Sequence, residues 1–441
     1  MKVSEVAPNT RVKLHTKNGD FSCIILDSPN PEVILVKLES GYNIGIKEED
    51  ILNLEIIGNK DNSKETKSSS LNRLHARSRV GNAKLGRIAL IVTGGTISSK
   101  LDKQTGAVKW LTNPQELLDL YPELKQITNI SEIKVPFMKA SENMGPKDWE
   151  ILSEITANFL NCKSIDGVVI THGTDFLHYS ASALSFALSN LNKPVVLTYS
   201  QRSSDRASSD ARLNLICAAR AAVSDIAEVM LVGHANLDDE YCYAIRGTKV
   251  RKMHSSRRDT FRPINSKPIA KVFPDKIEII SSYNLKDKEK RVNLISKFSD
   301  KVALIKFYPG QNPDIFDYYL LKGYKGLIIE MSGLGHVLTG ESNNNWLPKL
   351  RKVINSGTIV CAVPQTIYGR LDPLVYSVGR EIKKVGVIYL EDILPETAFV
   401  KLCWILGNKS LSKDKETIYS NLLRNIAGEF NYNIRNDEFL N

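Results

Sequence analysis

Six cysteines in 441 residues (Cys23, Cys162, Cys217, Cys242, Cys361 and Cys403) include no CxxC pair. That spacing argues against a zinc site or a disulfide framework. It fits core thiols in a reducing compartment, so a cytoplasmic location is expected. Long apolar runs are also missing. None approaches the roughly 20 residues that cross a bilayer, and the opening MKVSEVAPNT has no apolar signal core. No membrane association is expected. The stretch GGTISSK, residues 94–100, has neither the GxxxxGK[ST] nor the GxGxxG spacing of phosphate-binding loops. Residues 1–58 are poor in aromatics, with only Phe21 and Tyr42 as stacking platforms. The net charge of +10 permits nucleic-acid contact without demanding it; a solvated basic surface is the simpler reading.

What is present divides into three textures. Residues 1–58 hold short alternating segments, RVKLHT, DFSCIILDS, EVILVKLES and YNIGI, separated by turn signals such as KNGD. They predict a small β-barrel. Residues 59–84 are polar and Ser/Lys-rich and read as a linker. From Leu85 onward, apolar strands alternate with amphipathic stretches. The strands are RIALIV, GVVIT, PVVLTY, EVMLVG, VALIKF, GLIIEM and TIVCAV; the stretches include PKDWEILSEITANFL, SASALSFALSNL and ARLNLICAARAAV. Continuous β-branched strands with intervening helices predict an α/β class with parallel sheets covered on both faces. The more polar segment 264–298 splits it into a larger lobe, 85–295, and a smaller lobe with a tail, 296–441.

Ligands in open α/β sheets bind beyond the carboxyl ends of the strands. Three strand ends stand out: Thr93-Gly94-Gly95-Thr96, Thr171-His172-Gly173-Thr174-Asp175 and Met331-Ser332-Gly333-Leu334-Gly335. A glycine pair alone is commonly a tight turn. Two strand ends with hydroxyls, one with a carboxylate, make a catalytic constellation more credible. A threonine hydroxyl is a weak nucleophile that needs a base. Candidates are His172, His178, His234, His254 and the lysines of RGTKVRKMHSSRRDTFRP, residues 246–263. Within that run Lys249 and Lys252 are the alternatives; the run otherwise reads as a solvated face or a phosphate patch. His172, inside its turn, is expected to hydrogen-bond that turn.

TGGTI (93–97) and HGTD (172–175) resemble the two signature blocks of the bacterial-type L-asparaginase family, in its order and near its spacing. The resemblance runs from about Leu85 to about Leu423. It implies a two-lobed fold and amide hydrolysis, with Thr96 as the nucleophile and Thr174, Asp175 and a lysine as support. Counting back from Phe261 puts that lysine at Lys252, with Lys249 as the alternative. Which threonine carries the ester stays open. By the same resemblance Ser141 and Glu142, with Gly95 and Gly173, contact the substrate, and Asp175 holds its α-ammonium. No metal or cofactor is implied in this chain.

The N-terminal barrel, Glu142 in place of the usual glutamine, and the 246–261 loop are unlike ordinary asparaginases. They resemble a branch of the family, the D subunits of archaeal glutamyl-tRNA(Gln) amidotransferases. That resemblance implies glutamine as ammonia donor and a GatE-type partner. The partner uses ATP and Mg²⁺ to amidate Glu-tRNA(Gln) to Gln-tRNA(Gln). It also implies a homodimer of this chain within an α2β2 assembly. The lid stretch LDKQTGAVKW (101–110) lacks the tyrosine that assists the threonine in ordinary asparaginases, so the partner or its tRNA is expected to complete the site. The competing readings are a free-standing cytosolic L-asparaginase and a nucleic-acid-binding module built on the barrel.

Overall fold

The computed structural model describes residues 6–28, 32–39, 43–57, 85–101, 108–110, 121–204, 206, 208–340 and 344–433. The linker 59–84 and the lid residues 102–107 lie outside these. Two compact units are present. One comprises the N-terminal residues with the segment 99–111, and the other comprises the rest.

The apolar runs of the larger lobe form strands because they are buried on both faces. Arg87–Val92, Gly167–Thr171, Val195–Thr198 and Val229–His234 run parallel, and all but Arg87 of their residues are buried. Asn129–Lys134 joins in parallel beside Arg87–Val92. None of its residues is buried, and only Ile130 and Ile133 are partly so, because it forms the sheet's edge. On the other side Cys242–Arg246, Ala270–Val272 and Ile277–Ile279 add antiparallel strands. The eight-stranded sheet therefore has the expected parallel core, five strands wide, extended on one side by antiparallel strands. These last strands escape a reading by apolar runs because two of them span only three residues. The smaller lobe's sheet, Val302–Lys306, Gly326–Met331, Ile359–Pro364 and Ile388–Tyr389, is parallel throughout.

Helices Leu177–Ala187 and Pro395–Gly407 pack together where the lobes meet, with Phe186 stacked on Trp404 at 5.8 Å between centroids. Polar groups pin the same junction. Lys249 Nζ lies 2.7 Å from Asp392, both side chains about 1% exposed, and Thr397 Oγ1 donates to the Thr248 carbonyl at 3.1 Å.

The N-terminal sheet has five antiparallel strands in the order Asn43–Lys47, Val33–Leu38, Gly19–Ile25, Arg11–Thr16 and Ile51–Ile56. Val12, Leu14, Cys23, Ile25, Val36 and Ile46 form its own small core. The fifth strand, ILNLEI, is not among the segments that alternation picks out. A bulge between His15 and Thr16 shifts its pairing and breaks the two-residue period. No described helix is long and apolar enough to cross a membrane.

Candidate active site

The site is assembled by two neighbouring parallel strands that end level. Val92 pairs with Thr171, so the chains leaving them, TGGT and HGTD, emerge side by side. Thr93 Oγ1 donates to the Thr171 carbonyl at 2.8 Å and ties the two exits together. Gly94 and Gly95 have φ of +116° and +80°, the left-handed region that side chains resist. A Cβ on Gly95 would lie 2.5 Å from both the N and Cα of Gly173; one on Gly94 would lie 2.6 Å from the Lys139 carbonyl oxygen. The glycine pair therefore permits backbone to touch backbone. Thr96 and Thr174 each follow one of the two touching glycines, which brings these residues to one place.

Lys252 closes the group. It ends the short strand Val250–Lys252. Its Nζ donates to Thr174 Oγ1 at 2.9 Å and to Asp175 Oδ1 at 2.7 Å. Its side chain is 10% exposed, whereas that of Asp175 is 60% exposed and faces the open side. Lys249, three residues earlier, is committed to Asp392 in the interior. Of the two lysines, only Lys252 meets the threonine and the carboxylate.

A third element comes from the loop before helix Pro146–Leu160. Ser141 is buried, and its Oγ accepts from the Phe176 backbone N–H at 3.3 Å. A Cβ on Gly173 would sit 3.1 Å from the Ser141 side chain. Glu142 is exposed beside it. Together they border a cleft of about 280 Å³, continued by Phe176, Tyr179, Phe399 and Leu304. The loop is braced by Lys139, whose Nζ lies 2.6 Å from Asp148. Met331-Ser332-Gly333-Leu334-Gly335, the third strand end, turns back within the smaller lobe, where Tyr389 Oη donates to the Gly335 carbonyl at 2.8 Å.

His172 braces its own turn. Its Nδ1 lies 2.8 Å from the Gly173 carbonyl and therefore carries the proton. Nε2 then accepts from Ser180 Oγ at 2.9 Å, and Ser180 Oγ in turn accepts from Trp149 Nε1 at 3.2 Å. Ser180 and Trp149 are not legible as site residues, because nothing local in the sequence marks their meeting with His172. The 246–263 run is largely compensated: Arg251 pairs with Glu396, Arg257 and Arg262 with Asp259, and Arg258 with Asp239. Met253, His254, Ser255 and Arg257 of the run are exposed, whereas Lys249 and Val250 are buried.

Burial depresses the pKa of His172 to about 4. For His178 burial, helped by Arg251 and Lys252, brings it to about 3. Both are neutral in the fold, whereas in the unfolded chain they take a proton near the ordinary value of 6.5. Below that value the unfolded state binds more protons. Stability is thus whole above pH 6.5 and is lost as pH falls toward 4, by about 1.4 kcal/mol per pH unit for each histidine. Urea unfolding at pH 7.5, 5.5 and 4.5 is expected to show this loss, and His178→Leu is expected to make it shallower.

The chain matches three family models: the GatD N-terminal domain over residues 6–57, the N-terminal asparaginase domain over 87–284, and the glutaminase/asparaginase C-terminal domain over 301–419. Curated relatives named as the D subunit of glutamyl-tRNA(Gln) amidotransferase are similar over nearly the whole chain. That of Thermococcus kodakarensis is 46% identical, covering 93% of this chain and 89% of its own. That of Pyrococcus horikoshii is 41% identical over 100% of both. That of Methanococcus maripaludis is 40% identical over 96% and 98%. Among solved structures, the thermostable L-asparaginase from Thermococcus kodakarensis superposes with a TM-score of 0.68 at 28% identity, over 78% of this chain and 99% of that one. The L-asparaginase I of Vibrio cholerae gives 0.66 at 26%, over 79% and 99%. A doubly glycine-lined strand-end site, an asparaginase-like core and the appended N-terminal sheet thus converge, and the chain belongs to the asparaginase-type amidohydrolases as a member of the GatD family of glutamyl-tRNA(Gln) amidotransferase subunits.

Proposed function

We propose that this chain releases ammonia from glutamine for a partner that amidates Glu-tRNA(Gln), using a threonine nucleophile. The observation that carries the reading is the contact of Lys252 Nζ with both Thr174 Oγ1 and Asp175 Oδ1, beside the turn that presents Thr96. Thr96 Oγ attacks the side-chain amide carbon and gives up its proton to the Thr174–Lys252 pair. That pair returns it to the departing nitrogen, which leaves as ammonia. Water then attacks the γ-glutamyl ester, restores Thr96 and releases glutamate. Positioned proton transfer of this kind contributes roughly 10²–10⁴ in rate. Asp175 orients Lys252 from one side and offers its exposed carboxylate to the substrate's α-ammonium. Ser141 and Glu142 line the approach. Support for the partner and its tRNA comes from the relatives, which are D subunits of glutamyl-tRNA(Gln) amidotransferase; ATP and Mg²⁺ belong to the partner's reaction and no step in this chain uses them. Assembly as a homodimer within an α2β2 complex and a cytoplasmic location complete the proposal.

Ammonia release by the purified chain, given glutamine or asparagine, tests it. The assay is run alone and then with the GatE-type partner, Glu-tRNA(Gln), ATP and Mg²⁺. Weak release alone and strong glutamine turnover in the full mixture is the expected result. Vigorous asparagine turnover alone, unchanged by the mixture, would make the chain a metabolic L-asparaginase instead.

A further inference from the structure

The N-terminal sheet is not closed. Among the described residues its two outer strands, Asn43–Lys47 and Ile51–Ile56, are not hydrogen-bonded to one another, although a single turn, Glu48–Asp50, connects them. Each leaves an edge of backbone donors and acceptors that invites another strand. The seam is also apolar. Ile56 lies opposite Val12, a residue of the sheet's core, so its register points it inward. Yet Ile56 is 54% exposed, and Leu52, the bulged residue near the strand's other end, is 67% exposed. Ile57 carries the pairing one residue further through its N–H to the Arg11 carbonyl at 2.9 Å, and it is exposed on the opposite face of the strand. Ile56, which register assigns to the core face, is thus left bare, and apolar Leu52 and Ile57 stand exposed along the same open edge.

Charge decides what kind of chain fits. The chain as a whole carries +10, but residues 6–57 hold five lysines and arginines against eight aspartates and glutamates. Glu49 and Glu55 flank the seam with side chains 70% and 61% exposed, each beside one basic residue of the same sheet, Lys47 at 3.3 Å and His15 at 3.6 Å. A phosphate backbone is repelled by such a surface, whereas a basic protein segment is drawn to it.

We infer that the open edge of Ile51–Ile56 docks an extended, apolar and lysine- or arginine-bearing segment of the amidating partner, added as a sixth strand, and does not contact tRNA. Main-chain pairing supplies the affinity in such augmentation, and alternate side chains supply the specificity. The inference rests on the function proposed above and narrows the two roles open for the barrel to one.

Titration of the full chain with the purified GatE-type partner, and separately with tRNA(Gln), tests it. Leu52→Lys and Ile57→Lys are expected to weaken binding to the partner by about tenfold or more, as truncation of a buried apolar anchor does. The double reversal Glu49→Lys with Glu55→Lys is expected to weaken it several-fold at low salt and less at high salt, while leaving tRNA binding equal or stronger. Unchanged affinity for the partner in all three variants, or a loss of tRNA affinity in Leu52→Lys, would overturn the surface. Failure of the unaltered chain to bind the partner would overturn the functional reading and the surface together.

Discussion

Lys252→Ala is expected to remove ammonia release almost completely, by roughly 10²–10⁴ in kcat, while leaving the unfolding midpoint close to that of the parent chain. The amine touches Thr174 and Asp175, and Asp175, with its side chain 60% exposed, stays hydrated when the amine is gone. Lys249→Ala is expected to do the reverse in character. Lys249 and Asp392 are both about 1% exposed, so the substitution leaves a buried carboxylate without its cation. It is expected to cost about 3–5 kcal/mol of stability, and any loss of activity should follow the loss of folded protein. Steady-state kinetics and urea unfolding on the two variants separate these outcomes. A fully active Lys252→Ala enzyme would transfer the role to another group.

Gly95→Ala carries the second large effect. The added methyl would have to occupy space 2.5 Å from the backbone of Gly173, and backbone cannot yield as a flexible side chain can. A φ of +80° adds roughly 1–2 kcal/mol of local strain for an L-residue. The relief available is separation of the two strand-end turns, and that moves Thr96 away from Thr174. Misplacement of reacting groups by about 1 Å costs on the order of 10² in rate. Ammonia release is expected to fall at least that far, with a smaller loss of stability. Gly19→Ala is a suitable comparison, because Gly19 also has positive φ but nothing within 4 Å of its Cβ position; it should be mildly destabilised and fully active.

The parts of this fold that are legible in the sequence are those buried on both sides. RIALIV, GVVIT and EVMLVG announce themselves because nearly every position is apolar or small, and the turns that end the first two hold the threonines of the site. Strands at the margins are not legible. NISEIK sits at an edge with its two isoleucines three residues apart, while Ala270–Val272 and Ile277–Ile279 are too short to show a period. Within the site, the choice between Lys249 and Lys252 depends on partners 143 and 77 residues away. Composition near 250 carries no sign of either. The link from His172 through Ser180 to Trp149 is hidden for the same reason, since Ser180 and Trp149 read alone as ordinary helix residues.

The buried Lys249–Asp392 pair has a mechanical consequence. Its lysine belongs to the larger lobe and its aspartate to the smaller. Swinging the lobes apart would pull two charges from each other inside the protein before water could reach either, and the stacked Phe186 and Trp404 would separate with them. A hinge between the lobes is thereby closed off as a route for admitting substrate. Substrate entry, and any control the partner exerts over it, has to act locally on the turns at the strand ends, over a core that stays locked.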